Sequence, residues 1–349
     1  MLKQASFKNL TTLPNETLVF APGLNVVVAE NGCGKTHLLK AIYSLLSVNF
    51  SSGKEGNELT KTGLQKAYAD KLMGVFRPES LGRLVKRKQG RERCELRLDM
   101  VDGKQNCDIN FASNASSGVQ VELVPQAGLQ QPPVYLPTRE LVTLCPWFIN
   151  LYDNYHLEFE ETWRDTCSLL GAPSVKGPRE ARVAKLMQPL EEAMEGKVLV
   201  EANTGRFYLQ QTGQKLEMTL VAEGLRKLAM LARLISTGVL LEQGYLFWDE
   251  PEANLNPKLI KMLARVILSL AAQGIQVFIA SHSLFLLREI EIQARDDSEY
   301  SNVARRYFGL SMGEEGTVLE QADELEAIQT LVLLDEELEQ ADRYLGSGA

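Results

Sequence analysis

The feature that most restricts this chain lies near its start, where the apolar segment LNVVVA at 24–29 runs straight into a glycine-rich loop. The loop is Ala29-Glu30-Asn31-Gly32-Cys33-Gly34-Lys35-Thr36, and THLLKAIYSLL follows it with apolar residues at helical spacing. Strand, loop and helix in that order is the context in which a G-x-x-x-x-G-K-[ST] segment wraps phosphate. Glycines let the backbone curl until successive N–H groups converge on phosphate oxygens, and the helix start adds partial positive charge. Lys35 is expected to reach β- and γ-phosphates and Thr36 to ligate Mg²⁺. The predicted nucleotide-contacting stretch is Asn31, Gly32, Cys33, Gly34, Lys35, Thr36 and His37. Ala29 replaces the first glycine of the pattern, a mild departure, because alanine accepts most turn conformations other than positive φ.

Two further strand ends carry chemistry. Tyr245-Leu246-Phe247-Trp248-Asp249-Glu250 reads as an apolar strand that delivers two acids to its carboxyl end, where ligands gather in open α/β sheets. Asp249 is predicted to hold Mg²⁺ through water, and Glu250 to orient and polarise an attacking water as a catalytic base. Alone, such a strand end is a common solvent-exposed feature; beside a phosphate loop it takes on meaning. His282 ends the next apolar strand, VFIASHS, and is one of only three histidines. A lone histidine is more often a satisfied structural residue, but this one stands where a γ-phosphate sensor belongs, and the catalytic reading is preferred.

Taken together, AENGCGKT, AEGLRK, YLFWDEPEANLNP and ASHS resemble the Walker A, signature, Walker B with D-loop, and switch histidine of ABC-type ATPases. The resemblance spans roughly Met1 to Leu287 in matching order and spacing. DEPEANLNP and the EG-plus-basic signature look like the SMC, RecF and OLD-like ATPases, many of them in DNA repair or anti-phage defence. Transporter cassettes usually carry LSGGQ and DEPTSALD-like strings instead. The resemblance implies ATP and Mg²⁺, and a head-to-tail homodimer with two ATPs between the subunits. Glu223, Gly224 and the helix start at Leu225 would then face the partner's γ-phosphate. Ala222 stands where the family usually has serine, which removes one hydroxyl donor and is expected to weaken ATP-driven dimerisation. No clear Q-loop glutamine follows VYLP; Thr138, Arg139 and Glu140 occupy that place.

The fold expected is α/β: an ABC-type ATPase head with a mixed or parallel sheet around the loop, an antiparallel β arm and a helical lobe. Residues 1–50 and 216–300 are assigned to the nucleotide-binding lobe and 51–135 to the β-rich arm. Residues 136–215 are assigned to a helical lobe with a hairpin, and 301–349 to a C-terminal helical segment. Alternation on both sides of a DG turn in ERCELRLDMVDGKQNCDINF predicts a hairpin, as does VLVEANTGRFYLQ. Asn256 and Pro257 form a good N-cap and first-turn pair for the helix LIKMLARVILSLAA. Leu325, Ile328, Leu331 and Val332 suggest an acidic terminal helix. No sustained heptads and no internal repeat occur, so the long coiled coil of a true SMC protein is absent from this stretch.

At 349 residues the chain can bury a large core. Its five scattered cysteines include no CxxC pair, which argues against a disulfide framework or a zinc site. No apolar run reaches about 18 residues and the first ten residues lack a signal core, so a cytoplasmic protein with no membrane partner is expected. A net charge of −8 argues against a chain that coats nucleic acid with its whole surface. It leaves open a local contact at Arg83, Lys86, Arg87, Lys88, Arg91, Arg93 and Arg97, or simply a solvated face there. No Toprim-like acidic cluster follows His282, so nuclease activity would have to come from a separate effector protein. The leading expectation is an ATP-hydrolysing switch acting on nucleic acid or on such an effector. A transporter ATP-binding subunit and a structural ATP-binding module with little turnover are the alternatives.

Overall fold

The apolar run at 24–29 forms a strand buried on both sides. Leu24, Val26 and Val28 face one core while Val27 and Ala29 face another. The run Tyr245–Asp249 behaves alike, with Leu246 and Trp248 on the first side and Tyr245 and Phe247 on the second. A period of two with apolar residues in both phases is what a central parallel strand requires, because both faces are covered.

The computed structural model describes residues 1–54, 60–86, 92–155, 157–175, 180–201, 203–241, 244–314, 316–329, 339–340 and 342–346. The first half of the chain holds β1 (Leu2–Lys8), β2 (Thr17–Val19), β3 (Leu24–Ala29), α1 (Lys35–Lys54), α2 (Lys61–Phe76), β4 (Arg93–Met100), β5 (Cys107–Ala112), β6 (Gln120–Leu123) and β7 (Pro133–Leu136). Next come α3 (Cys145–Tyr155), α4 (Glu161–Gly171), α5 (Glu180–Met194), β8 (Gly196–Val200), β9 (Phe207–Gln211), β10 (Gln214–Glu217) and α6 (Glu223–Ser236). The remainder is β11 (Tyr245–Asp249), α7 (Pro257–Ala272), β12 (Gln276–Ser281), α8 (Leu284–Asp296), β13 (Arg305–Gly313) and β14 (Gly316–Ala322).

Among the described residues these strands form three sheets. The central one has the order β14-β13-β3-β12-β11-β7, parallel throughout except for the antiparallel edge strand β14. Helix α1 lies on one face with the antiparallel sheet β2-β1-β4-β5-β6; α6, α7 and α8 lie on the other with the helices α3 to α5. The third sheet is β10-β9-β8, packed against the helical layer through Phe207 and Leu209. Buried Gln276 ties two of these sheets together: its amide oxygen accepts from Leu2 N, and its amide nitrogen donates to Leu2 O and Ala21 O.

Several expectations hold locally. The DG turn joins β4 to β5, and β8 pairs with β9, each antiparallel. Asn256 caps α7 by accepting from Leu259 N at 3.0 Å, with Pro257 in the first turn.

Others are corrected. Residues 305–322 were expected within a C-terminal helical segment and are instead the strands β13 and β14. The reason is burial: Tyr307, Phe308 and Leu310 sit between β3 and β14, and along Gly316–Ala322 the alternate positions Thr317 and Leu319 are buried. Leu325 and Ile328 pack into the core from a single 3₁₀ turn, while Leu331 and Val332 lie outside the described residues. Within 51–135, assigned to a β-rich arm, Lys61–Phe76 is helical. Thr60 caps it, and Leu64, Tyr68, Ala69, Leu72 and Val75 form its buried stripe. Strand β7 also belongs to the central sheet rather than the arm. No described helix is long and apolar enough to cross a membrane.

Candidate active site

The loop after β3 turns on its glycines. Gly32 and Gly34 adopt φ of +87° and +96°, and a Cβ on Gly34 would lie 2.8 Å from Thr12 Oγ1. Any side chain at Gly34 is therefore strained in backbone and blocked in space. Ala29 needs no such freedom: it is the last residue of β3, and its φ is not positive. The missing first glycine thus leaves the curl intact. Cys33 is buried in the core beneath the loop, and burial pushes its thiol pKa up, so it is a packing residue here rather than a reactive one.

Lys35 opens α1 and its ammonium is turned back into the loop, donating to Ala29 O and Glu30 O. Burial lowers its pKa, opposed by the carboxylates of Glu250, Asp249 and Glu252. Thr36 donates its hydroxyl to Asp249 Oδ2 at 2.9 Å, which joins the start of α1 to the end of β11. The other oxygen, Asp249 Oδ1, is buried without a hydrogen-bond partner. Burial raises the Asp249 pKa, with the Thr36 hydroxyl acting against it and the Glu250 carboxylate reinforcing it. A hydroxyl, a buried carboxylate with an unsatisfied oxygen and a nearby ammonium suit a divalent cation bridging to phosphate. Thr36 and Asp249 are the residues that would hold it. His37, expected in the nucleotide-contacting stretch, has its ring 3.0 Å from Thr11 Oγ1 and packed on Phe76, and burial lowers its pKa. Asn31 is exposed.

Glu250 follows Asp249 in a strained turn, at φ +46°. A non-glycine residue in that region costs about 1–3 kcal/mol and persists only where its surroundings enforce it. Here Glu250 N donates to Ala280 O at 2.8 Å, and Lys227 Nζ donates to Glu250 O at 3.2 Å. His282 Nδ1 lies 3.3 Å from Glu250 Oε1. The structure therefore brings Lys35, Thr36, Asp249, Glu250 and His282 to one end of the central sheet.

Glu223 and Gly224 lie at the start of α6, against the turn after Glu250. A Cβ on Gly224 would meet Asn254 O at 2.8 Å. Gly224 thus has a requirement inside its own chain, separate from the close approach to phosphate expected from the motif. Ala222 is the N-cap of α6 and makes no side-chain cap hydrogen bond. Ala222→Ser should supply one, stabilising the chain by about 0.5–2 kcal/mol and adding a hydroxyl at the helix start. A higher unfolding midpoint together with tighter ATP-dependent self-association is the expected result; an unchanged midpoint would mean that the helix start is already satisfied.

Three residues that had been given no role, Glu140 among them although its place in the chain was noted, complete the arrangement. Buried Glu252 accepts from Ser281 Oγ at 2.7 Å and from His282 N at 3.3 Å, and so fixes the strand end that carries His282. Lys227 on α6 donates to Ala253 O as well as Glu250 O. Glu140, in the place where the Q-loop glutamine was sought, is buried, accepts from Thr143 N and Oγ1, and pairs with Arg226 of α6 at 3.2 Å. The basic pair Arg226–Lys227 in EGLRK and the Q-loop position of Glu140 were the signals available for the last two.

A glycine-rich loop before a helix, a strand-end Asp-Glu pair and a histidine just past the end of the adjacent parallel strand are the features of a P-loop nucleotide-binding head. The comparisons support an ABC-type P-loop ATPase of the SMC and RecF group. A family model described as "AAA domain, putative AbiEii toxin, Type IV TA system" matches residues 151–288. RecF of Salmonella typhi, described as a DNA replication and repair protein, is 32% identical over 109 residues, 31% of this chain and 30% of that protein. RecF of Salmonella agona matches to the same extent. The chain thus spans under a third of the length of these relatives. Among solved structures, an Smc head bound to the C-terminal winged-helix domain of ScpA superposes with a TM-score of 0.56 at 12% identity, over 94% of this chain and 99% of that one. An Smc head with an extended coiled coil from Pyrococcus furiosus gives 0.53 at 11% identity, over 99% and 98%. Those two likenesses bear on the fold.

Proposed function

We propose that this chain is an ATP-hydrolysing switch that works as a head-to-tail homodimer. The observation that carries the reading is the junction of α1 and β11. The Thr36 hydroxyl sits on Asp249, whose second oxygen is buried and unpartnered, and the Glu250 carboxylate follows in an enforced left-handed turn. In this reading Lys35 exchanges its loop carbonyls for β- and γ-phosphate oxygens, and the α1 start with the loop N–H groups holds the phosphate chain. Magnesium, held by Thr36 and Asp249, would neutralise charge on the phosphates. Glu250 takes the proton of the attacking water, and His282 at 3.3 Å from it orients that carboxylate and contacts the γ-phosphate. Glu223 and Gly224 complete the partner's site. Phosphate release from ATP and Mg²⁺ by the purified chain, measured as a function of chain concentration, tests this reading.

The switch is further proposed to serve nucleic acid, directly or through a separate effector protein such as a nuclease. The RecF matches, to proteins described as acting in DNA replication and repair, support the first route, and the family model's description names a putative toxin of a type IV TA system. Three described members of the basic segment are engaged within the chain: Arg83 pairs with Glu79, Arg97 with Asp99, and Arg93 donates to Asn110 and Gln120. A direct contact would therefore rest on Lys86 and on Arg87, Lys88 and Arg91, the last three of which lie outside the described residues.

A further inference from the structure

We propose that Lys227 is a positioning residue for hydrolysis: its ammonium clamps the turn from Glu250 to Asn254 and ties that turn to the start of α6. The inference rests on the ATPase reading above and adds how the two ends of the site are connected within one chain.

Lys227 is fully buried in the apolar face of α6, between positions filled by Leu228, Leu231 and Leu234. An ammonium in such a place is costly unless its protons and charge are answered. Two carbonyls answer the protons, Glu250 O at 3.2 Å and Ala253 O at 2.9 Å. The charge is answered by the carboxylates of Glu252, Glu223, Glu250 and Asp249, yet burial still prevails and the pKa falls to about 8. A methionine would fill similar space without the desolvation cost. What it would lack is the pair of donors on this turn.

The turn is one that needs holding. Glu250 and Asn254, at φ +46° and +64°, bracket it, and both Lys227 acceptors lie between them. From the β12 side, Glu252 is anchored by Ser281 and His282. From the α6 side, Gly224 lies so close to Asn254 O that a Cβ would be at 2.8 Å. The Glu250 turn is thus gripped between the strand end that carries His282 and the helix whose start bears Glu223. A displacement of that helix start reaches Glu250 through Lys227 and the Gly224–Asn254 contact. Occupation of the helix start by a partner's nucleotide would therefore be felt at the chain's own hydrolytic carboxylate.

The test is the full-length Lys227→Met chain. Nucleotide affinity and KM should stay within about twofold of the wild type, since Lys35 and Thr36 are untouched. Turnover should fall roughly 10- to 100-fold, as expected of a catalytic group moved by a fraction of an ångström to an ångström. The unfolding midpoint should change little, because the desolvation cost removed with the charge offsets the two hydrogen bonds lost to the turn. In a Glu250→Gln background the same substitution should cost little further, since both changes act on one carboxylate. Wild-type turnover in Lys227→Met would overturn the proposal, as would a loss of rate that only follows a lowered midpoint. Full additivity with Glu250→Gln would also overturn it. A wild-type chain with no turnover at all would remove the ATPase reading and this role together.

Discussion

Glu250→Gln leaves ATP bound and slows hydrolysis by ~10²–10⁴-fold, the effect of losing a general base while keeping its size and hydrogen-bonding shape. The amide can still sit beside His282 and its backbone still donates to Ala280 O, so the turn and the loop persist. What disappears is a group able to take the proton of the attacking water. Because binding and pairing precede that step, the ATP-bound dimer should accumulate in this variant and be visible as a doubled mass by light scattering. Wild-type turnover in Glu250→Gln would remove this carboxylate from the mechanism.

Lys35→Ala is expected to abolish nucleotide binding at micromolar protein. The ammonium is the one buried cation that opens α1 at the loop, held by two carbonyls that phosphate oxygens would replace. Charge-assisted hydrogen bonds are worth about 1.5–3 kcal/mol each, so losing two costs more than a hundredfold in affinity. The methyl that remains cannot reach a phosphate, and the loop carbonyls lose their donor as well. Titration calorimetry with ATP and Mg²⁺ should show no heat of binding. Affinity equal to that of the wild type would mean that the loop does not hold phosphate.

The central sheet was legible because its strands are apolar in both phases and end in residues with special chemistry. LNVVVA before the loop, YLFWDE and VFIASHS each declare a buried strand and what it delivers. The Asn256–Pro257 start of α7 was legible because a cap is a local signal. Strands β13 and β14 were not, since a nine-residue strand in the middle of a sheet shows its nature only through its neighbours β3 and β14. Helix α2 escaped notice because Gly63 and Gly74 within it weaken its pattern, and burial against α1 and the antiparallel sheet decides its form.

In the site, adjacency of Lys35, Thr36, Asp249, Glu250 and His282 could be anticipated from motif order. The roles of Glu252, Lys227 and Glu140 could not, although Glu140 stood at the place where the Q-loop residue was sought. Each acts through partners far along the chain: Ser281 for Glu252, the 250–253 carbonyls for Lys227, and Arg226 for Glu140. Gly224 shows the complementary case, a motif glycine whose nearest constraint is Asn254 of its own chain. A Gly224→Asp variant would therefore disturb the Glu250 turn as well as the helix start, and cannot by itself report on contacts between subunits.

In the proposed switch, hydrolysis requires two chains, each supplying the Glu223–Gly224 helix start to the other's nucleotide. Specific ATPase activity measured against protein concentration, with light scattering on the same samples, tests it most directly. The account predicts that activity per chain rises with concentration and levels off in step with the ATP-dependent dimer. Activity per chain that stays constant across the whole range, in protein that remains monomeric with ATP bound, would contradict it.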